Sequence, residues 1–114
     1  MSEKLRQIYS AEHVKTKVSA ADQDLEGPEI PQGEAVRIDA FYAIDITVAD
    51  KTIRLGYKKA GVEYWFKRQN AGTGAYGISQ DRPIILVQAE KPIARVESAT
   101  LNDTVLMVCR GVYL

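Results

Sequence analysis

The chain has 114 residues, of which 46% are hydrophobic and 26% charged, with fifteen basic and fifteen acidic side chains. This length suits one compact domain, and the composition excludes wholesale disorder. The zero net charge excludes a global field that would steer the protein onto nucleic acid or an anionic membrane. No apolar run approaches the ~20 residues of a membrane span. The single cysteine, Cys109, excludes a disulfide framework and a cysteine zinc site.

The first 27 residues predict an N-terminal extended arm, followed by a β-sandwich domain over residues 28–114. Residues 7–19 show the pattern of one or two short edge strands, and residues 27–33 contain two prolines and two glycines. This composition is typical of a segment that joins the fold late or lies on another subunit. The first ten residues lack the apolar core of a signal peptide, so we expect synthesis in the cytosol without signal-dependent secretion.

Beyond residue 25 the hydrophobic pattern alternates with period two, which predicts an all-β protein. The longest run covers residues 36–48 and predicts one long strand, with a bend or bulge midway as an option. Its buried face would carry Val36, Ile38, Ala40, Tyr42, Ile44, Ile46 and Val48, and its wet face Arg37, Asp39, Asp45 and Thr47.

The rest of the chain predicts a hairpin, a loop and three closing strands. Residues 52–58 and 62–68 form the hairpin, and residues 69–83, with three glycines between Gly72 and Gly77, form the one long loop. The final strand, over residues 104–114, is apolar on both faces over part of its length. Such a strand is central in a sandwich or is covered by a neighbouring subunit. Six or seven strands then make an antiparallel β-sandwich.

The hairpin carries the strongest candidate site, because residues 51–70 contain six basic side chains and one acidic one. Alternation would bury Tyr64 and Phe66 and turn Trp65 outward. We predict an interface made by Trp65, Lys58, Lys59, Lys67 and Arg68, together with Tyr76 from the long loop. Three interpretations of the outward tryptophan stay open: cover by the arm or loop, an anchor in a protein interface, or stacking of single-stranded nucleic acid or sugar.

The sequence predicts no catalytic, cofactor or metal site. His13 is the only histidine, and a single imidazole lacks the partners of a zinc site. Cys109 lies in an apolar strand, where a small buried hydrophobe is the expected role. Asp39 and Asp45 share a predicted strand face but would lie about 20 Å apart, too far for paired acid and base catalysis on one bond.

Four segments, residues 30–45, 51–66, 83–98 and 104–114, occur in an order that resembles small β-sandwich or jelly-roll virion proteins of tailed bacteriophages. The resemblance spans about residues 30–114 and is a pattern of strands, so it transfers no site residues. It implies a jelly-roll-like fold and a non-enzymatic capsid decoration or cement protein that self-associates and stabilises the head lattice.

The resemblance also implies partners and a location. The expected partners are further copies of the chain, commonly in a homotrimer, and the major capsid protein or another virion protein, without a membrane or nucleic acid. The protein would be made in the host cytoplasm and reside in the virion. A neck, tail or fibre component is an alternative, as is a carbohydrate-binding sandwich that reads host-surface glycans.

Overall fold

A computed structural model describes residues 7–114, and over this range it confirms an all-β sandwich of two antiparallel sheets. One sheet has five strands and the other has four. The five-stranded sheet contains β1 (Ile8–Lys15), β3 (Ala35–Asp45), β6 (Gly77–Ser79), β7 (Ile84–Val87) and β9 (Val105–Tyr113). The four-stranded sheet contains β2 (Gln23–Glu26), β4 (Thr52–Lys59), β5 (Val62–Asn70) and β8 (Glu90–Val96).

The strand pairing is nested along the chain. β4 pairs with β5, β3 with β6 and β7, β2 with β8, and β1 with β9, while β9 also pairs with β3 and β8 with β4. The order is β1-β9-β3-β6 in one sheet and β2-β8-β4-β5 in the other. A long antiparallel ribbon wound into two sheets in this way is a jelly roll. The last strand is therefore central, between β1 and β3.

The segment expected as an arm contributes one strand to each sheet. β1 pairs with β9 over its full length, from Ile8 opposite Val112 to Lys15 opposite Val105. β2 pairs with β8 at the edge of the other sheet. The described residues before position 28 thus belong to the same sandwich as the rest of the chain, in agreement with the edge-strand pattern of residues 7–19. Residues 1–6 of the expected arm lie outside the described range.

A bulge in β3 overturns the predicted faces of the long strand. The pairing of β3 with β9 shifts register between Ile38 and Ala40, so Asp39 is an extra residue that reverses the alternation. Val36 and Ile38 face the core as predicted, but beyond the bulge the core-facing residues are Phe41, Ala43 and Asp45. The prediction for residues 40–48 was therefore wrong in its faces, and the strand ends at Asp45 rather than at residue 48.

The predicted long loop is shorter than expected and contains a strand. β5 continues to Asn70, and residues 77–79 form β6, so only residues 71–76 separate the two. β6 and β7 both pair with β3, but at opposite ends of it, which leaves residues 80–83 outside the sheet. The sheet edge that faces β5 is consequently interrupted.

The core lies between the two sheets and combines residues from every strand except β5. Phe41 is the largest of the fully buried side chains, and its neighbours in the core cluster include Leu25, Leu55, Leu86 and Met107. β5 supplies no core residue because it is an edge strand opposite the interrupted edge. The outward residues of the remaining strands leave two broad faces, and these differ sharply in chemistry.

Candidate interfaces on the two outer faces

Trp65 lies on the outer face of the four-stranded sheet, as predicted, but it is half-buried by its own sheet. Its ring covers Gly56, since a Cβ added to that glycine would fall 2.9 Å from Cε3 of the indole. The Cζ atoms of Arg54 and Arg95 lie 5.7 and 5.2 Å from the ring centroid. Both distances are within the range of cation–π attraction. In the described part of the chain, the guanidinium groups of Arg54 and Arg95 cover the tryptophan ring.

The basic hairpin is neutralised by acids from distant parts of the chain. Arg54 and Arg68 both donate to Glu97, with three N–H···O distances of 2.8 to 2.9 Å. Arg95 joins Asp24 to Glu63 across the same face. These pairs form two ion clusters on the outer face of the four-stranded sheet, which we together call the ion network. They reduce the local positive charge that the hairpin sequence alone indicates.

Ion pairs on this face shift the pKa values of Glu97, Arg95 and Glu26 in the direction that favours the charged form. Hydrogen bonds from Arg68 and Arg54 lower the pKa of the Glu97 carboxyl to about 2, against a smaller opposing effect of burial. Hydrogen bonding to Asp24 raises the pKa of Arg95. At the edge of the face, Lys91 and Lys58 lower the pKa of the Glu26 carboxyl. The Glu97 and Glu26 carboxyls and the Arg95 guanidinium are therefore charged at neutral pH.

The other predicted interface residues do not share one surface. Lys58 pairs with Glu26, and Arg68 with Glu97, whereas Lys59 is exposed beside the hairpin turn without an ion pair among residues 7–114. Lys67 turns toward the five-stranded sheet, where its Nζ donates to the Ser79 carbonyl at 2.7 Å. Tyr76 lies at the edge of the other sheet. Of the six predicted residues, Trp65, Lys58 and Arg68 lie on the outer face of the four-stranded sheet, and Lys67 and Tyr76 do not.

Tyr64 and Phe66 point toward the core side of β5 but do not enter the core. They remain 46% and 39% exposed, more than Trp65, so the prediction that they are buried was wrong. The Tyr64 ring stacks on Tyr57 at 4.9 Å between centroids, and Phe66 lies 5.6 Å from Tyr57. The interrupted edge opposite β5 leaves these rings uncovered. They form a small aromatic platform that sequence alternation could not reveal.

The outer face of the five-stranded sheet is apolar, in contrast to the ion network. One row of paired residues crosses the sheet from Val14 through Leu106 and Ile44 to Gly77. The adjacent row includes Val108 and Tyr42. We call this surface the apolar face and define it by Val14, Tyr42, Ile44, Ile46, Tyr76, Leu106 and Val108.

Several side chains of the apolar face are open to solvent. Val14, Ile46 and Tyr76 are 48% to 51% exposed, and Tyr76 lines a shallow depression of about 260 Å³ with Tyr42 and Ile44. Farther along the same side of the sheet, Ile8 and Ile85 are also exposed. Exposed apolar side chains grouped on one face of a globular protein are typical of an interaction site. In the sequence, this surface was indicated by the last strand, which is apolar on both faces over part of its length.

Two opposite charges lie on the outer side of this sheet beside the apolar rows. Glu12 pairs with Val108 across β1 and β9, and Arg110 pairs with Ser10, so the two charged residues are diagonal neighbours. Both are exposed, and neither forms an ion pair within residues 7–114. Arg37 and Asp39, also on this side, pair with each other. Among the residues that the structure describes, Glu12 and Arg110 therefore have no charge partner.

His13 and Cys109 have structural positions. Nδ1 of His13 accepts a hydrogen bond of 3.0 Å from the Glu26 backbone N–H and so ties β1 to β2. Cys109 is buried, as expected, and burial raises the pKa of its thiol. The described residues contain no group of three or more histidine, cysteine or acidic side chains suited to a metal ion.

A pair of buried acids was not foreseen from the sequence. Asp45 and Asp103 are almost fully buried at the end of β3 and before β9. Oδ1 of Asp45 accepts the backbone N–H groups of Thr47 and Val48, while Oδ2 is buried with no donor among the described residues. Burial, then the Asp103 carboxyl, raises the pKa of Asp45 to about 6. The pair could not be predicted by strand alternation, because the β3 bulge turns Asp45, a residue of the predicted wet face, toward the core.

Comparison of the sequence with protein-family models and with curated proteins finds no match. Between residues 7 and 114 there is no helix with the length and apolarity needed to cross a membrane. The interpretation of function therefore depends on the two outer faces and on the strand pattern.

Proposed function

We propose that this protein is a non-enzymatic structural subunit of a tailed bacteriophage, a capsid decoration protein that self-associates and stabilises the head lattice. The observation that carries the proposal is the difference between the two outer faces of the sandwich. On one face the arginines are paired with acids of the same chain. The other face carries an apolar row in which Val14 is exposed and Leu106 and Ile44 are half-buried.

The apolar face supports assembly on physical grounds. Contact of its exposed valine, isoleucine and tyrosine side chains with water is unfavourable. Burial of these side chains against another subunit would lower the free energy by about 25 cal/mol per Å² of apolar surface. Repetition of one modest contact around a symmetric lattice multiplies its effect through avidity. A jelly roll with one unpartnered sheet face suits this role, and the strand-pattern resemblance supports a lattice on a phage head.

Two measurements test the proposal. Mass spectrometry of purified virions should detect the chain, and cryo-electron microscopy should place it on the outside of the head. Absence of the chain from virions would refute the proposal. A position at the neck, the tail or a fibre would instead favour the alternative structural role. Light scattering on the purified protein should give a mass above that of the 12.7 kDa chain.

The aromatic platform favours a second candidate function, recognition of host-surface glycans. Tyr64 and Phe66 are exposed around the partly buried Tyr57, and flat rings of this kind present apolar faces to a ligand. The test is a glycan array with wild type, Tyr64→Ala and the matched control Tyr76→Ala. Binding that is lost only in Tyr64→Ala supports this function, and an array without wild-type binding removes it.

A further inference from the structure

Two complementary charges lie beside the apolar face. Glu12 and Arg110 occupy adjacent outward positions on β1 and β9, and each lies beside the buried Val108 of the apolar rows. Diagonal neighbours on one face of an antiparallel pair are about 7–8 Å apart. Within residues 7–114 they pair neither with each other nor with a third group.

We propose that the apolar face binds the same face of a second copy of this chain across a two-fold axis, with Glu12 of each copy paired to the partner's Arg110. This inference rests on the proposed self-association and names its surface and symmetry. In a two-fold contact the same patch meets itself, so a residue that contacts another across the axis is contacted by it in return. One acid and one base side by side on a patch satisfy this condition with two equivalent ion pairs.

The neighbouring side chains fit the interior of such a contact. Leu106, Ile44 and Tyr42 are half-buried in the single chain, and Val14 and Tyr76 are open, so a second copy would complete their burial. An apolar centre with charges beside it is the usual anatomy of a stable interface. The ion network on the opposite sheet lacks this property, since its charges are already paired internally. A two-fold contact gives a dimer, whereas the resemblance implies a trimer. The molecular mass of the assembly in solution therefore distinguishes the two.

Charge exchange tests the inference in the full-length protein. We would measure association by sedimentation equilibrium for wild type, Glu12→Arg, Arg110→Glu and the double variant that carries both. Each single variant places like charges across the axis twice and should weaken the dimer by about 10–100-fold in Kd. The double variant restores opposite charges and should recover most of the affinity. Glu29→Arg and Arg82→Glu alter exposed charges elsewhere and should leave association unchanged.

The possible outcomes separate this inference from the proposed function. A dimer that each single exchange weakens and the double exchange restores supports it. A dimer or trimer whose Kd is unchanged by the charge exchanges refutes the two-fold pairing but is consistent with self-association. A monomer at every concentration overturns both. Circular dichroism on each variant checks that the exposed substitutions leave the fold intact. Val14→Lys, in the apolar rows, should also weaken the dimer, and it does so without a change to Glu12 or Arg110.

Discussion

Replacement of Asp45 by asparagine should stabilise the protein at neutral pH. In the wild type, burial and the neighbouring Asp103 carboxyl raise the pKa of Asp45 from 3.8 to about 6. The folded state therefore holds this proton more tightly than the unfolded state does. Stability from this group is fully present below pH 3.8 and is lost as pH rises through about 6. At 1.36 kcal/mol per pKa unit, the loss amounts to about 3 kcal/mol.

Asparagine would remove this cost while it preserves the local hydrogen bonds. Its oxygen can still accept from the N–H groups of Thr47 and Val48, which lie 3.0 and 2.9 Å from Oδ1 of Asp45. Its NH2 group replaces the unpartnered Oδ2 and can donate to the Asp103 carboxylate. We expect Asp45→Asn to exceed wild type by up to about 3 kcal/mol at about pH 8, and the difference to disappear near pH 4.

The assay is urea unfolding of both proteins at fixed protein concentration, from about pH 4 to about pH 8. Asp81→Asn is the matched control, because the Asp81 side chain is 80% exposed and should change stability by less than about 0.5 kcal/mol. Parallel stability curves for Asp45→Asn and wild type across this range would refute the reasoning. So would a variant that is less stable than wild type at every pH.

Three further predictions concern the four-stranded sheet. Glu97→Gln should cost about 1–3 kcal/mol at pH 7. Because the Glu97 pKa is lowered from 4.5 to about 2, the wild-type advantage in urea unfolding should shrink as pH falls between these values. Gly56→Ala should destabilise by about 3 kcal/mol or more, seen as a lower Tm, because its Cβ would strike the Tyr64 carbonyl oxygen and the Trp65 ring; an unchanged Tm would contradict this packing. Ala60→Asn should add about 0.5–1 kcal/mol to the unfolding free energy, because Ala60 has φ of 51° in a two-residue turn that favours asparagine. A loss of stability there would show that the turn differs.

The sequence predicted the fold class well because strand periodicity is a local property. Alternation identified the long β3 run, the β4–β5 hairpin and the double-sided last strand, and all three are strands of the sandwich. The faces were less predictable. One extra residue at Asp39 reversed the alternation and placed Asp45 in the core, and a bulge depends on the neighbouring strand rather than on local composition.

The candidate site was harder to predict, because partners distant in sequence decide which side chains stay available. The charge count over residues 51–70 indicated a basic surface, but Glu97 and Asp24 approach that face only through strand pairing. Trp65 was correctly turned outward, yet Arg54 and Arg95 half-cover it. No pattern within the hairpin contains these contacts.

The sequence by itself determined the single domain-sized length, the absence of a disulfide framework and the β character of this chain, since these depend on composition and local period. Only the tertiary structure decided which faces are satisfied and which remain open. The nested pairing brings acids to the basic hairpin and closes that face, while it assembles Val14, Leu106 and Ile44 into an uncovered apolar row. These ion pairs and exposed patches arise from pairing between strands that are distant in sequence, as between β1 and β9 or β2 and β8, and no single local segment contains both partners.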